Sequence, residues 1–215
     1  MADTVCQVTA VGARRQQAAQ TEAELKAAAV RVFGRSGYLN AKITDITAEA
    51  GRAAGSFYKH FTNKESLLES LLADVLHQGD ESVQLEGHDD DFSNRDAVRW
   101  HVALYWDFHR RNRVLLDALR QASTIDVVFA QRLRDLTEPD VLHMAGHLQR
   151  ARDSGLALPG DPVVLASAFA ALMSQFAATW QAGEGPDLGR ELDDDEAIET
   201  LTSLVYSGIG GCAQQ

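Results

Sequence analysis

Apolar residues along this chain recur at the three- and four-residue spacing of an α-helix, and no segment alternates in the two-residue rhythm of a strand. Behind Leu25, the residues Ala28, Ala29, Val32 and Phe33 follow one helical stripe. Leu67, Leu68, Leu71, Leu72, Val75 and Leu76 form a second, stronger one. Val127-Val128 is too short for a strand, and no Asn-Gly or Asp-Gly hairpin turn occurs. The sequence shows no internal repeat. The spacing predicts an all-α fold.

Local signals divide it. Thr21-Glu22-Ala23-Glu24 reads as a capping box opening a helix that Gly37 stops. Short helices are expected over 43–50 and 53–61, with Gly51 between them. Thr62-Asn63-Lys64-Glu65 reads as a second capping box. Residues 79–92, carrying Asp89-Asp90-Asp91, read as a loop with solvated charge. Ser93 or Asn94 caps a helix to about 111, and another spans 113–122. A longer helix covers 126–154, kinked or split by Pro139 and stopped by Gly155. Asp161-Pro162 opens a helix to about 182 that is apolar on nearly every side. Gly183, Gly185 and Pro186 mark a loop, and a last helix covers 194–209.

With 215 residues, 45% of them hydrophobic, the chain can bury a core in one or two domains, which excludes collagen-like and disordered classes. No window offers 18 or more uncharged apolar residues, and the N-terminus lacks the apolar core of a signal peptide. The expectation is a cytoplasmic chain with no membrane partner. Cys6 and Cys212 are too few for a disulfide framework or a metal site and read as incidental thiols. The net charge of −11 argues against a nucleic-acid partner until it is resolved along the chain. From Arg14 to Lys64 nine Lys/Arg face four Asp/Glu, whereas from Gly79 onward 11 Arg face 23 acidic residues. A basic front and an acidic body suggest two modules with different partners, the plain alternative being chance clustering.

The segment 43–61 narrows the front module. Two short helices meet at Ala50-Gly51, with Ile43, Ile46, Ala50, Phe57 and Phe61 at inward positions and small Thr47 where the helices approach. This is helix-turn-helix spacing, in which the first helix braces the second against the major groove. Gly37-Tyr38, Ile43, Ile46, Ala50-Gly51, Gly55, Phe57-Tyr58-Lys59-His60-Phe61 and Asn63-Lys64-Glu65 with Leu67 together resemble the N-terminal signature of the TetR (tetracycline-repressor-like) family of transcriptional regulators. The resemblance covers residues 21–75. Arg52 stands where the family usually has an apolar residue, Ala53 where it often has Ser or Thr, and Ala41-Lys42 where it has a Thr/Ser pair.

The resemblance implies a disordered tail over 1–20, a helix-turn-helix DNA-binding domain over 21–66 and a helical ligand-binding and dimerisation domain over 67–215. It implies a homodimer on a near-palindromic double-stranded DNA operator, repression as the expected sense, and a small-molecule effector. It places Lys42 and Thr44 at a phosphate, Ala54, Ser56 and Lys59 towards the groove, Tyr58 and His60 at the rim, and Lys64 on another phosphate. The plain alternatives are a half-buried Tyr58 and solvated lysines.

In the body, the helix after Asp161 and the last helix, with Ile198, Leu201, Leu204, Val205 and Gly208, would pair with a second copy, the alternative being a monomer core. Trp100, Tyr105, Trp106, His109, Phe129, Met144, His147, Phe169, Met173 and Phe176 are candidate pocket residues, with core packing the commoner use of each. Their aromatic bias favours a flat or lipophilic ligand. His143 and His147, with Asp140, have helical metal-ligand spacing but no further ligand, so no metal or other cofactor is expected. No nucleophile turn or P-loop is present. The rival class is a helical enzyme or adaptor whose helix-turn-helix is only structural.

Overall fold

A computed structural model describes residues 2–83, 91–181 and 190–210, with side chains over 14–77, 91–181 and 190–208. The described residues form helices and no strand: α1 (Ala2–Asn40), α2 (Ile43–Glu49), α3 (Ala54–Phe57), α4 (Lys64–Val83), α5 (Arg95–Ile125), α6 (Val127–Asp153), α7 (Pro162–Trp180) and α8 (Asp194–Gly210). The all-α expectation holds. Asp90 and the run Gly183, Gly185 and Pro186 lie outside the described residues, as do Asp89 and Cys212. Nothing is described of the Cys6 side chain.

Several boundaries differ from the sequence expectation, each for a local reason. The first helix does not open at Thr21: α1 is described from Ala2, and the Thr21 hydroxyl donates to the Gln17 carbonyl inside it. Gly37 does break α1, with φ 72° and ψ 163°. At the start of α4 the cap is Asn63, whose side chain accepts the Ser66 N–H at 2.8 Å. The Ser66 hydroxyl oxygen in turn accepts the N–H groups of Thr62 and Asn63, and Glu65 is used elsewhere. α4 runs on to Val83, past the expected loop start. α5 is one helix where two were expected: its apolar stripe lapses at Arg110–Arg113 because the helix passes between two cores there. Asp107 pairs with Arg110 and Arg111 across that stretch. Pro139 lies within α6, at an exposed turn. The caps at Asn94 and Asp161 form as the sequence indicates, and Asp126, read as the first residue of its helix, caps α6.

α5 organises the molecule, packing against α1, α4, α6, α7 and α8. Its two ends belong to different cores. Leu115, Ala118, Leu119 and Ala122 join Leu25, Phe33, Tyr38, Ile46, Phe57, Phe61 and Leu68 in the front core. Val98, Val102 and Trp106 join Leu148, Met173 and Leu201 in the rear one. At about 1.5 Å per residue, this single helix is a rod of about 46 Å shared by both. α7 is long and apolar enough to cross a membrane by length and composition, although Ser167, Ser174, Gln175 and Thr179 interrupt its apolar run. In the structure it packs on α5 and α6, burying Ala166, Met173 and Ala177.

Candidate nucleic-acid interface and effector cavity

The turn between α2 and α3 is built on Gly51, at φ 64°. Its N–H donates to Ala48 (3.0 Å), and the Arg52 N–H donates to Thr47 (2.8 Å). Ile46, Thr47, Phe57 and Phe61 are buried beneath this turn, with the two phenyl rings 5.5 Å apart. Buried Thr47 turns its hydroxyl back on the Thr44 carbonyl, so a polar residue fits the tight contact at no unpaired cost. α3 is a single turn, shorter than expected, and Tyr58, Lys59 and His60 continue it as a tight turn with backbone bonds from His60 and Phe61 to Phe57. At Gly55 an added Cβ would meet nothing in the chain, so this side of α3 is open.

Most of the front module's charge is already spent. Arg31 and Arg35 both pair with Glu49, tying α1 to α2 at 2.7 Å. Arg52, unusual at its position, pairs with Glu24 on α1, which holds that carboxyl below its ordinary range. Lys26 pairs with Asp74 and Glu22 beside a shallow α1–α4 depression of about 300 Å³. Among the described residues 14–63, Lys42, Lys59, Arg14 and Arg15 are the Lys and Arg side chains for which the structure shows no ion pair, and all four are exposed. Thr44, Ala54 and Tyr58 are exposed with them, Tyr58 at 62%, while Ser56 is half-buried. The half-buried alternative for Tyr58 is not what is observed.

Two expected contact residues face inward instead. His60 turns its ring to Glu22, 3.8 Å away. Lys64 donates to the carbonyls of Tyr38 (2.9 Å) and Ala41 (2.7 Å) and lies over the Tyr38 ring. A cation on carbonyls at the end of α1 satisfies groups the helix leaves open. Burial lowers the pKa of this lysine, with Glu65 opposing. Tyr38 itself is fully enclosed. Its hydroxyl donates to Glu65, its ring packs on Phe33, and burial first and Glu65 second hold its pKa well above the usual range. The Tyr38 N–H donates to the side-chain oxygen of Gln121 on α5 at 2.9 Å. Tyr38 thus joins α1, α4 and α5 four residues ahead of Lys42.

In the body, the candidate pocket residues divide. Phe129 belongs to the front core, away from any rear cavity. Trp106 is core, its indole N–H donating to Asp194 and its ring against Phe176. Met173 is core too. Tyr105 stacks on His109 at 5.0 Å. Burial, with Arg120 adding, pulls the His109 pKa down to about 4. His147 is enclosed, stacked on Phe92. Arg150 can only donate, so His147 accepts at Nδ1 (2.8 Å) and donates from Nε2 to His143 (3.0 Å). The two imidazoles meet each other, and no group of metal-ligating side chains is found among the described residues.

Met144 and Phe169 do line a cavity of about 210 Å³. Its floor is Phe92, Val98, His101 and Leu148, all buried, and its wall adds Leu165 and Val205. Its mouth opens between Ala168 and Leu172 of α7 and Leu204 and Gly208 of α8, all exposed. The His101 Nδ1–H donates to the Ala97 carbonyl and Trp100 packs on the His101 ring from outside the cavity. The aliphatic lining has no residue type that distinguishes it from ordinary core, and Phe92 closes the stretch 79–92 that reads as a loop in sequence. A stronger signal lay in the small residues of α7 and α8.

Residues 25–71 match the family model for bacterial regulatory proteins of the tetR family. The chain is 27% identical to the HTH-type transcriptional repressor NicS of Pseudomonas putida over 60% of its own length and 61% of that protein's. It is 38% identical to the transcriptional regulator TtgR of Pseudomonas putida over 30% of each. The chain therefore spans under two thirds of these relatives. Among solved structures it resembles a Saccharomonospora viridis transcriptional regulator in complex with choline (21% identity, TM-score 0.71, covering 89% of this chain and 98% of that one). It also resembles the regulator FadR of Bacillus subtilis in complex with stearoyl-CoA (18%, TM-score 0.66, 86% and 98%). At these identities the likeness concerns the fold.

Proposed function

From the premise that this chain belongs to the tetR family of bacterial regulatory proteins, we propose that it is a ligand-responsive, sequence-specific DNA-binding regulator, with repression as its sense. The observation that carries the proposal is the open side of the helix-turn-helix. Lys42, Thr44, Ala54, Tyr58 and Lys59 are exposed there around an unobstructed Gly55, while the other cations nearby hold the module together. Lys42 and Lys59 would meet phosphates, which fix register, and the Ala54 methyl would meet a base edge. His60 and Lys64 act by bracing. The DNA-reading unit is 21–66, and its core extends into α4 and the far end of α5.

The dimer is part of the same reading. Val164, Ser167, Ala168, Ala171, Leu172 and Gln175 of α7, with Thr200, Ser203, Leu204 and Ser207 of α8, are exposed, uncharged and mostly small or apolar. Two such sets would pack as a four-helix contact about a two-fold axis, setting two reading heads on one palindrome. A ligand shifts their spacing only through different affinity for the free and DNA-bound shapes. Selection of genomic fragments by the purified chain tests the proposal: enrichment of a near-palindromic site supports it, and enrichment of none sinks it. Light scattering giving a monomer mass at micromolar concentration removes the dimer.

A further inference from the structure

Building on the regulator reading, we propose that the cavity between α5, α6, α7 and α8 binds a compact, uncharged aromatic molecule. At the packing density of a protein interior, about 210 Å³ holds about ten to twelve non-hydrogen atoms, the size of a bicyclic aromatic. Phe92 and Phe169 supply two aromatic rings to the lining, and the other walls are aliphatic except for His101 and the Met144 thioether. Among the described residues, no Lys, Arg, Asp or Glu lines the cavity. A carboxylate or phosphate drawn into it would lose water and gain no opposite charge.

A second copy of the chain is the competing occupant, because the mouth opens on the exposed α7–α8 face. That face can cover the cavity but not fill it. Around the mouth it carries Ser167, Ala168, Ala171, Ser203, Ser207 and Gly208. Its largest side chains there are leucines, with four side-chain carbons each, under half of what the space holds. The floor, formed by Phe92, Val98 and Leu148, would still face empty volume. A small molecule beneath a partner lid satisfies both the depth and the surface.

The test uses the full chain with β-naphthol and β-naphthoate, one ring system with and without a charge at neutral pH, in equilibrium dialysis. Saturable naphthol binding at one per protomer is expected, with naphthoate weaker by at least about thirtyfold. Ala168→Trp and Gly208→Trp, both at exposed mouth positions, should abolish naphthol binding with the thermal melt retained. Val163→Trp, at an exposed α7 position outside both the lining and the self-pairing face, should keep it. Equal affinity for naphthoate, absence of saturable naphthol binding, or equal loss in Val163→Trp overturns the assignment. DNA binding is measured on the same samples. DNA binding without naphthol binding removes this inference and leaves the regulator reading, whereas naphthol binding without DNA binding does the reverse.

Discussion

The side-chain oxygen of Gln121 accepts the backbone N–H of Tyr38 at 2.9 Å, and that of Leu39 at 3.3 Å, across the boundary between the body and the DNA-reading module. Both donors directly follow the break in α1 at Gly37. A displacement of α5 therefore reaches the segment leading into α2 directly. Gln121→Met should cost about 1–2 kcal/mol of stability. It should also weaken operator binding by about tenfold, the factor that 1.4 kcal/mol represents. Gln121→Glu, which keeps an acceptor, should restore binding. Urea melts and DNA titrations on both variants check this; equal binding by all three proteins would remove the coupling role.

Two lysines of similar sequence standing should behave oppositely. Lys64→Met strands the Tyr38 and Ala41 carbonyls and should cost about 1–3 kcal/mol, leaving the salt dependence of DNA binding unchanged. Lys59→Ala should change stability by less than about 0.5 kcal/mol. It should instead lower the logarithmic salt slope by about one. Reversed outcomes would mean that Lys64 swings out to the phosphate.

Gly55→Ala isolates the open side of α3. A Cβ there meets nothing in the free chain, so the melt should hold or rise, alanine being the better helix former by about 1 kcal/mol. DNA binding should fall, because the added methyl stands where the backbone approaches DNA. Unchanged affinity would place the DNA elsewhere.

His109 sets a pH dependence. Its folded pKa, about 4, lies below the ordinary imidazole value, so the unfolded chain binds the proton first. Its contribution is whole above about pH 6.5 and is lost as pH falls towards about 4, at most about 3 kcal/mol. His109→Phe should flatten the stability profile in that window, measured as ΔG of urea unfolding against pH. Parallel profiles for both proteins would exclude His109 as the source.

The helical order was legible because stripes and caps are local: Asn94 and Asp161 cap where they stand in sequence. The polar interruption at Arg110–Arg113 misled, since a helix crossing between two cores loses its stripe without ending. The turn and its exposed residues were legible from Gly51, Phe57 and Phe61. The roles of Lys64 and His60 were not, because spacing gives a residue's face and not its partner. The basic balance over 14–64 suggested a module with its own partner; Glu24 and Glu49 absorb three of its arginines. Gln121 lies 83 residues from Tyr38, a separation no sequence window spans.

Fluorescence anisotropy of the purified chain on its selected DNA fragment, across a salt series with unrelated DNA as competitor, tests the central claim most directly. The account predicts specific binding that survives competitor, weakens steeply with salt, and loses about one unit of slope in Lys59→Ala. Binding that competitor removes completely, or a slope that Lys59→Ala leaves untouched, would contradict it.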